Sequence, residues 1–368
     1  MPIFLFFVIL LVLVLVHEFG HFITAKKFGI RVDEFGFGFP PKLFGKKIGE
    51  TTYSFNAIPF GGFVKIFGEN PDEESISGPD SQRSFVNKPR WVQATVLIAG
   101  VFFNFLLAWL LFSVGFMSGA PTSLGSEPKG AILSNQNLVI TSVVPGSPAE
   151  IAGINIGDKI ISINSAGSEL KERELTPEAV QQFVGNKAGK EIKVSLKRDG
   201  EADSILVTPK AGLLEGRAAI GVSLDVIGIL KLPVHLALWQ GLKTASSLTL
   251  STAASLGKLV KDAVIGRADL SAITGPVGIV GVVGDAYHFG FIYLLSFAAL
   301  ISINLAVINL IPFPALDGGR LLFLLIEKIK GSAINPKVAN ALNAGGFILL
   351  LLLMVIVTYH DIAKLVTR

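Results

Sequence analysis

The sequence predicts an α-helical polytopic membrane protein with four transmembrane helices, a membrane-associated β-hairpin region and one extramembrane α+β domain. Of the 368 residues, 51% are hydrophobic and only 16% are charged, whereas soluble domains carry roughly 25% charged residues. The apolar residues form charge-free runs at 1–16, 94–119, 289–316 and 342–359. A long polar stretch, 120–270, separates the second and third runs and can hold one domain of ordinary size.

Each charge-free run can hold a membrane-crossing helix, because about 20 apolar residues span the hydrocarbon core of a bilayer. We expect spans at 3–25, 94–117, 290–312 and 342–358. The first run has no basic segment before it and no small-residue cleavage site after it, so we interpret it as a retained span. We therefore expect a multi-pass protein of the inner or plasma membrane, with the lipid bilayer as a partner.

Basic residues predict the orientation of the chain. Lys26 and Lys27 follow the first span, and Lys328 and Lys330 lie between the last two spans. The positive-inside rule places both connections in the cytoplasm and the stretch 120–270 outside it. The ends of the first and third spans then lie on the same, cytoplasmic side of the membrane.

The composition excludes several kinds of site. The chain has no cysteine, which excludes disulfides and thiolate zinc ligands. A metal would have to bind His, Asp or Glu, and the chain has only 5 His. The net charge of +4 is modest, so we expect no nucleic-acid partner.

Residues 17–21, HEFGH, have the H-E-x-x-H pattern at the end of the first span. On a helix, residues four apart share a face, so His17 and His21 can bind one zinc ion. Glu18 would act as general base on a zinc-bound water, whose pKa the metal lowers toward about 7. The alternative is a helix end that reaches lipid headgroups. It is disfavoured because an acid at the centre of a span costs roughly 2.5–3.5 kcal/mol.

Asp317 is the natural third ligand, because a catalytic zinc takes three protein ligands and keeps one open position. It follows the uncharged run 289–316, and Pro312 and Pro314 interrupt the helix just before it. Broken backbone at membrane depth is tolerated where it lines a polar cavity. The alternative is that Asp317 only caps a helix ahead of two glycines.

These motifs resemble the site-2 protease family of intramembrane zinc metalloproteases, of the bacterial regulator-of-sigma-E-protease type. The matching elements, which span essentially the whole chain, are 17–21 (HEFGH), 100–104 (GVFFN) and 309–318 (NLIPFPALDG). The resemblance implies one Zn²⁺ per chain, bound by His17, His21 and Asp317, with Glu18 activating water. It also implies that Asn309 holds the substrate backbone or the oxyanion, and that Asn104 lies near the core and contacts substrate.

A β-hairpin is predicted after the first span, from alternating residues 51–58 and 62–67 around turn residues 59–62. The resemblance matches this region to a membrane-dipping β element, in which Gly61, Gly62 and Phe63 would contact substrate. An unwound substrate segment would add as a strand to a free edge. A hairpin that only covers the active site is an alternative of equal weight. The acidic segment 69–84 is expected to be flexible.

Residues 138–210 are predicted as a small mixed domain of strands and two short helices, which Ser147 and Thr176 cap. Its strands 192–197 and 204–208 are predicted to form a hairpin around Asp199 and Gly200. Residues 141–164 resemble the signature of a PDZ domain. The predicted division is 1–119 for the first two spans, 120–228 for one extracytoplasmic PDZ (α+β) domain, and 229–368 for the remainder. The last part begins with an amphipathic segment, which either lies on the outer membrane surface or packs on the protein.

The expected function is intramembrane proteolysis of a single-span membrane protein, within or near its membrane segment. Anti-sigma factors and signal-peptide remnants are substrates in the family. One alternative is a PDZ-bearing membrane scaffold without catalysis, which Glu18 and Asp317 argue against. The other is a transporter or metal-handling protein, which is disfavoured because the sequence has no inverted repeat of spans.

Overall fold

The computed structural model describes residues 1–128, 131–165, 167–198, 200–214, 217–267 and 275–366. The chain forms two compact units. The first comprises Met1–Ser113, Leu238–Tyr287 and Leu294–Arg368, and the second comprises Val114–Ala237 and His288–Tyr293.

The described residues contain helices of very different lengths. In chain order they are α1 (Pro2–Lys27), α2 (Glu73–Ser77), α3 (Arg90–Ser118), α4 (Pro148–Ile151), α5 (Pro177–Gly185), α6 (Val234–Val264), α7 (Pro276–Phe289), α8 (Phe291–Asn309), α9 (Asp317–Lys330) and α10 (Pro336–Val366).

The strands belong to three sheets. They are β1 (Val32–Ile48), β2 (Thr51–Ile66), β3 (Ala120–Ser123), β4 (Ser134–Val143), β5 (Lys159–Ser165), β6 (Ser168–Lys171), β7 (Ile192–Arg198), β8 (Glu201–Val207), β9 (Lys210–Leu214), β10 (Arg217–Ala219) and β11 (Val222–Leu230). Strand β1 pairs with β2, β9 pairs with β10, and the other strands form a seven-stranded sheet.

Four helices in the described part of the chain are long and apolar enough to cross a membrane: α1, α3, α8 and Pro336–Ala363 of α10. This confirms the prediction of four apolar spans and fits a polytopic membrane protein. Proline at the first helical position starts α1, and Lys26 and Lys27 end it, where cations favour the negative end of the helix dipole.

Helices α1 and α3 approach closely because glycine occupies their crossing point. A Cβ atom on Gly20 would lie 2.5 Å from the carbonyl oxygen of Ala99 and 3.1 Å from the Cα of Gly100. Small residues let apolar helices pack backbone against backbone. The crossing therefore sets α3 directly against the HEFGH face of α1.

The β element is present, but its turn is not where the sequence predicted it. Residues 51–58 and 62–66 belong to one strand, β2, and the hairpin turn lies at Gly49 and Glu50. Gly49 has φ +64°, which glycine adopts without a Cβ penalty. Phe35 of β1 pairs with both Tyr53 and Val64 of β2. The first and last parts of β2 therefore flank β1 on opposite sides. The Pro-Phe-Gly-Gly signal therefore marks a bend within β2.

The acidic segment 69–84 is held by specific contacts, so the prediction of flexibility is wrong. Asp72 and Ser75 form a reciprocal capping box on α2. Arg31 donates to Asp80 at 2.6 Å and to Asp33 at 2.9 Å. Composition alone gave no sign of these partners, since Arg31 lies outside the segment.

The second unit is built on the sheet ordered β3-β11-β4-β5-β7-β8, with β6 paired to β5. Its core is aliphatic and includes Ile140, Ile163 and Leu196, all at most 1% exposed. Ser147 and Thr176 cap α4 and α5 with their side chains, as the sequence predicted. The predicted hairpin is formed by β7 and β8, and Asp199 of its predicted turn lies outside the described residues.

Contacts within the first unit favour the packed alternative for the start of the amphipathic segment. The indole Nε1 of Trp109 donates to the carbonyl of Leu238 at 2.8 Å. A Cβ atom on Gly241 would lie 2.3 Å from Ser113 Oγ. The first half of α6 therefore packs against α3.

Asp158 is expected to stabilise the second unit. It is 1% exposed and receives hydrogen bonds from Arg198 at 2.8 and 2.7 Å and from the backbone of Asn155 at 2.9 Å. Asp158→Ala should lower the free energy of opening by about 2–3 kcal/mol, because charge-assisted hydrogen bonds are lost.

Amide hydrogen exchange of β5 and β7 in the full-length protein measures this change. Asp203→Ala is the control, because the Asp203 carboxylate accepts only a local backbone hydrogen bond from Ser204 among the described contacts. We expect a change within about 0.5 kcal/mol for that variant. Equal effects of the two substitutions would contradict the role of the Asp158–Arg198 pair.

Candidate metal centre and active site

His17 and His21 lie on one face of α1, one helical turn apart. Their side chains are buried, at 6% and 7% exposure, although the helix is otherwise apolar. The two Nε2 atoms lie 3.1 Å apart. Two imidazole nitrogens at this distance, inside apolar surroundings, can share one metal ion.

Asp317 is brought to the histidines by the break between α8 and α9. Its Oδ2 lies 3.1 Å from His17 Nε2 and 3.2 Å from His21 Nε2. The capping alternative is not supported. Leu316 occupies the N-cap position of α9, and Asp317 is already its first residue.

The break itself depends on glycines. A Cβ on Gly318 would lie 2.2 Å from the carbonyl oxygen of Ile311, and one on Gly319 would lie 2.2 Å from that of Phe313. Ala315 adopts φ +76°, which is uncommon for a residue other than glycine. The LDGG sequence thus allows the chain to fold back tightly and to present Asp317 at the start of α9.

The three ligand atoms fit a zinc ion. Tetrahedral ligands at about 2.0–2.1 Å from zinc stand about 3.3 Å apart, and the three edges here are 3.1, 3.1 and 3.2 Å. Burial acts to raise the pKa of the Asp317 carboxyl, but the adjacent His17 and His21 rings lower it more, so the net pKa lies below its ordinary value. Asp317 is therefore a carboxylate at neutral pH, as metal binding requires.

Glu18 lies beside this group, in a cavity of about 280 Å³. Its carboxylate is next to the backbone amide of Val64 on β2. The cavity is lined by Val14, His17, Glu18, His21, Phe63, Val64, Glu69, Leu305, Asn309, Ala315, Leu316 and Asp317. It therefore combines a potential metal centre with a carboxylate that could act as a base.

The other residues singled out in the sequence lie in different places. Asn309, at the end of α8, and Phe63, on β2, line the cavity. Gly61 and Gly62 are buried against α1: added Cβ atoms would lie 3.4 Å from Val14 and 2.9 Å from Leu15. Asn104 is not among the lining residues; it is fully buried and contacts His17.

Sequence reasoning missed several residues at the site. The carbonyl of Val96 accepts a hydrogen bond from His21 Nδ1 at 2.8 Å, and Ser302 Oγ donates to the carbonyl of Asn104 at 2.8 Å. Backbone acceptors leave no signature in a sequence. Glu69 also lines the cavity. The sequence offers no sign of this, because Glu69 begins the acidic segment that the composition predicts to be flexible.

These features define a metallopeptidase whose site is built from apolar helices. The chain belongs to peptidase family M50, whose sequence profile matches residues 5–353. A protein of Clostridium acetobutylicum, provisionally named a zinc metalloprotease, is 34% identical over 351 residues, covering 95% of this chain and 94% of that protein.

Two further relatives carry the name zinc metalloprotease RasP. The Shouchella clausii protein is 30% identical over 435 residues, covering 98% of each chain. The Geobacillus kaustophilus protein is 29% identical, covering 98% of this chain and 97% of its own. The predicted family, the class of zinc metalloendopeptidase and the zinc cofactor are thereby confirmed.

Gly100 provides room for both imidazoles. A Cβ atom there would lie 2.4 Å from His21 Nε2 and 2.7 Å from His17 Cε1. Gly100→Ala should displace the rings and weaken zinc binding by at least about tenfold, in line with the effect of misoriented ligands. Two measurements test the effect: the zinc content after dialysis against a chelator, and the peptidase activity.

Gly257→Ala is the matched control, since Gly257 lies within α6 and a Cβ atom there meets no atom within 4 Å. Alanine in a helix is favoured over glycine by about 1 kcal/mol, so this variant should keep its zinc and gain stability. Full zinc retention by Gly100→Ala would refute the steric argument.

Proposed function

We propose that the protein is an intramembrane zinc endopeptidase that cuts a single-span membrane protein within or near its membrane segment. The observation that carries this proposal is the meeting of three ligand atoms within 3.2 Å of one another among helices apolar enough to cross a membrane. His17 and Glu18 lie within α1, and α3 and α8 pack around them through Asn104 and Ser302. Such a placement favours substrates that are themselves in the membrane.

His17, His21 and Asp317 would hold the zinc, which when bound polarises a carbonyl and lowers the pKa of water. Glu18 is positioned to accept a proton from the attacking water and to return it to the departing amine. Asn309 lines the same cavity, and its amide can donate a hydrogen bond to the oxygen that becomes negatively charged. Each role fits the position of the residue around one cavity.

The substrate segment would bind as an added strand on β2. Residues 62–66 pair with 32–37 of β1 on one side, and Phe63 and Val64 line the cavity. An extended peptide along this edge would pass Glu18, which lies beside Val64. Strand addition exposes carbonyl groups that a helical substrate keeps in its own hydrogen bonds. This proximity favours presentation over a purely covering role.

We also propose that β4 to β11 form a PDZ domain outside the cytoplasm, which restricts access by bulky ectodomains. Support comes from the antiparallel sheet with two short capped helices, and from the PDZ-like stretch 141–164. By the positive-inside rule, the basic loops at Lys26 and Lys330 favour an orientation with the active site toward the cytoplasmic side. The alternative of an inactive scaffold is disfavoured, because Glu18 and Asp317 are both in position.

Glu18→Gln should abolish cleavage of a transmembrane model peptide and leave about one zinc per chain. The amide is close in size to the carboxylate but accepts no proton, and general-base catalysis contributes at least about 10²-fold. Metal analysis and a cleavage assay on purified protein measure the two properties. Equal cleavage by wild type and variant would remove Glu18 from the mechanism.

Phe63→Ala should lower kcat/KM for the membrane peptide by about tenfold or more, because the presenting edge loses a side chain at the cavity. Zinc content should not change. Phe44→Ala is the control: this phenylalanine belongs to the same β element, but it is 63% exposed and is not among the cavity residues. A similar loss in both variants would argue for a general effect on the β element.

The cysteine-free chain offers a clean test of orientation. Single cysteines replacing Asp203, on exposed β8, and Lys330, exposed at the end of α9, can be probed in intact cells. A membrane-impermeant maleimide should label the first and leave the second unlabelled until the cells are lysed. The reverse pattern would place the second unit in the cytoplasm and contradict the proposed topology.

A further inference from the structure

Both imidazoles face the candidate metal centre through Nε2. The Nε2 atoms of His17 and His21 lie 3.1 and 3.2 Å from Asp317 Oδ2. A neutral imidazole that binds metal through Nε2 carries its proton on Nδ1, and this proton needs an acceptor when the ring is buried. His21 has one, because its Nδ1 lies 2.8 Å from the carbonyl oxygen of Val96.

His17 has no backbone acceptor of this kind among the described contacts; its Nδ1 faces the side-chain amide of Asn104, at 3.3 Å. Asn104 is 0% exposed. His17 is the sole hydrogen-bond partner of that side chain in the described part of the chain, and the other end of the amide has none. A fully buried amide with one polar partner points to a role that involves that partner.

We infer that Asn104 is a positioning residue for His17: its side-chain oxygen accepts the Nδ1–H of His17 and holds Nε2 toward the metal. The oxygen and nitrogen of the amide exchange places by a 180° rotation without a change of shape, and only the oxygen can accept. This inference rests on the proposed zinc ligation by His17, His21 and Asp317. It replaces the substrate contact predicted for Asn104.

The spacing along α3 supports the same role. Val96, Gly100 and Asn104 follow one another at intervals of four, so they lie along one face of the helix. Val96 orients His21, Gly100 leaves space for both rings, and Asn104 meets His17. Ser302 on α8 donates to the Asn104 carbonyl at 2.8 Å and fixes this turn of α3 from the other side. On this inference, one helix supplies an acceptor to each of the two histidines.

The test is the zinc affinity of purified full-length variants, measured by competition with a chromogenic chelator. Asn104→Leu should bind zinc about 10–100-fold more weakly than wild type, the usual cost of losing a residue that orients a ligand. Asn104→Asp should stay within about threefold, because a carboxylate also accepts the Nδ1–H. Asn104→Ala gives a second loss variant should the leucine variant not fold.

Gln93→Leu is the matched control. Gln93 is also buried on α3, at 7% exposure, but it donates to the carbonyls of Val86 and Lys88, away from the metal ligands. This variant should lose thermal stability and keep its zinc affinity. If the substitutions only disturbed the structure of α3, thermal stability and zinc affinity would both fall in Asn104→Leu and in Gln93→Leu.

Different outcomes test the role of Asn104 and the zinc ligands on which that role depends. Unchanged zinc affinity of Asn104→Leu, with a raised KM for the membrane peptide, would overturn the inference and support a substrate contact. Zinc binding by Asn104→Asp as weak as that of the leucine variant would also overturn it. Equal zinc content in wild type and His17→Ala would instead refute the proposed zinc ligands, on which the inference rests.

Discussion

The structure depends on one interaction: the approach of the Asp317 carboxylate to two buried imidazoles. A carboxylate removed from water is costly unless opposite charge or hydrogen bonds compensate it. The ligand atoms stand 3.1 to 3.2 Å apart, so a divalent cation would bring the compensating charge to all three. The broken segment before α9, the glycine crossing of α1 and α3, and the contacts of Val96 and Asn104 with the histidines all maintain this approach.

A second constraint connects strand β2 to Asp317, the proposed third ligand. Arg320 forms an ion pair with Glu69 and donates to Asn70 at 3.3 Å. Arg320 lies one turn after Asp317 on α9, and Glu69 lies shortly after the end of β2. The pair therefore ties the β element to the helix that carries the carboxylate. Glu69 also lines the cavity, so this contact borders the space in which a substrate would lie.

The sequence predicts the four apolar helices through their charge-free runs, and the helices of the second unit through their capping residues. It also predicts the group of His17, His21 and Asp317, starting from the H-E-x-x-H spacing. All of these are local signals. Sequence reasoning misplaced the turn of the β element, since Pro59–Gly62 has the composition of a turn but is used as a bend. It expected 69–84 to be flexible because the partners of its acids, such as Arg31, lie elsewhere. The contacts of α3 with the two histidines could not be predicted either, because the backbone carbonyl of Val96 leaves no pattern and Asn104 lies 87 residues from His17.

The sequence separation of the proposed ligands has a consequence for biosynthesis. His17 and Asp317 lie 300 residues apart, so a nascent chain contains the first two proposed ligands long before the third. At about 5–20 residues per second, the ribosome needs roughly 15–60 s to bridge that gap. The nascent enzyme therefore lacks a complete metal centre while its first helices enter the bilayer among other newly inserted proteins. With the proposed ligands, proteolytic competence would arise only after Asp317 has been translated.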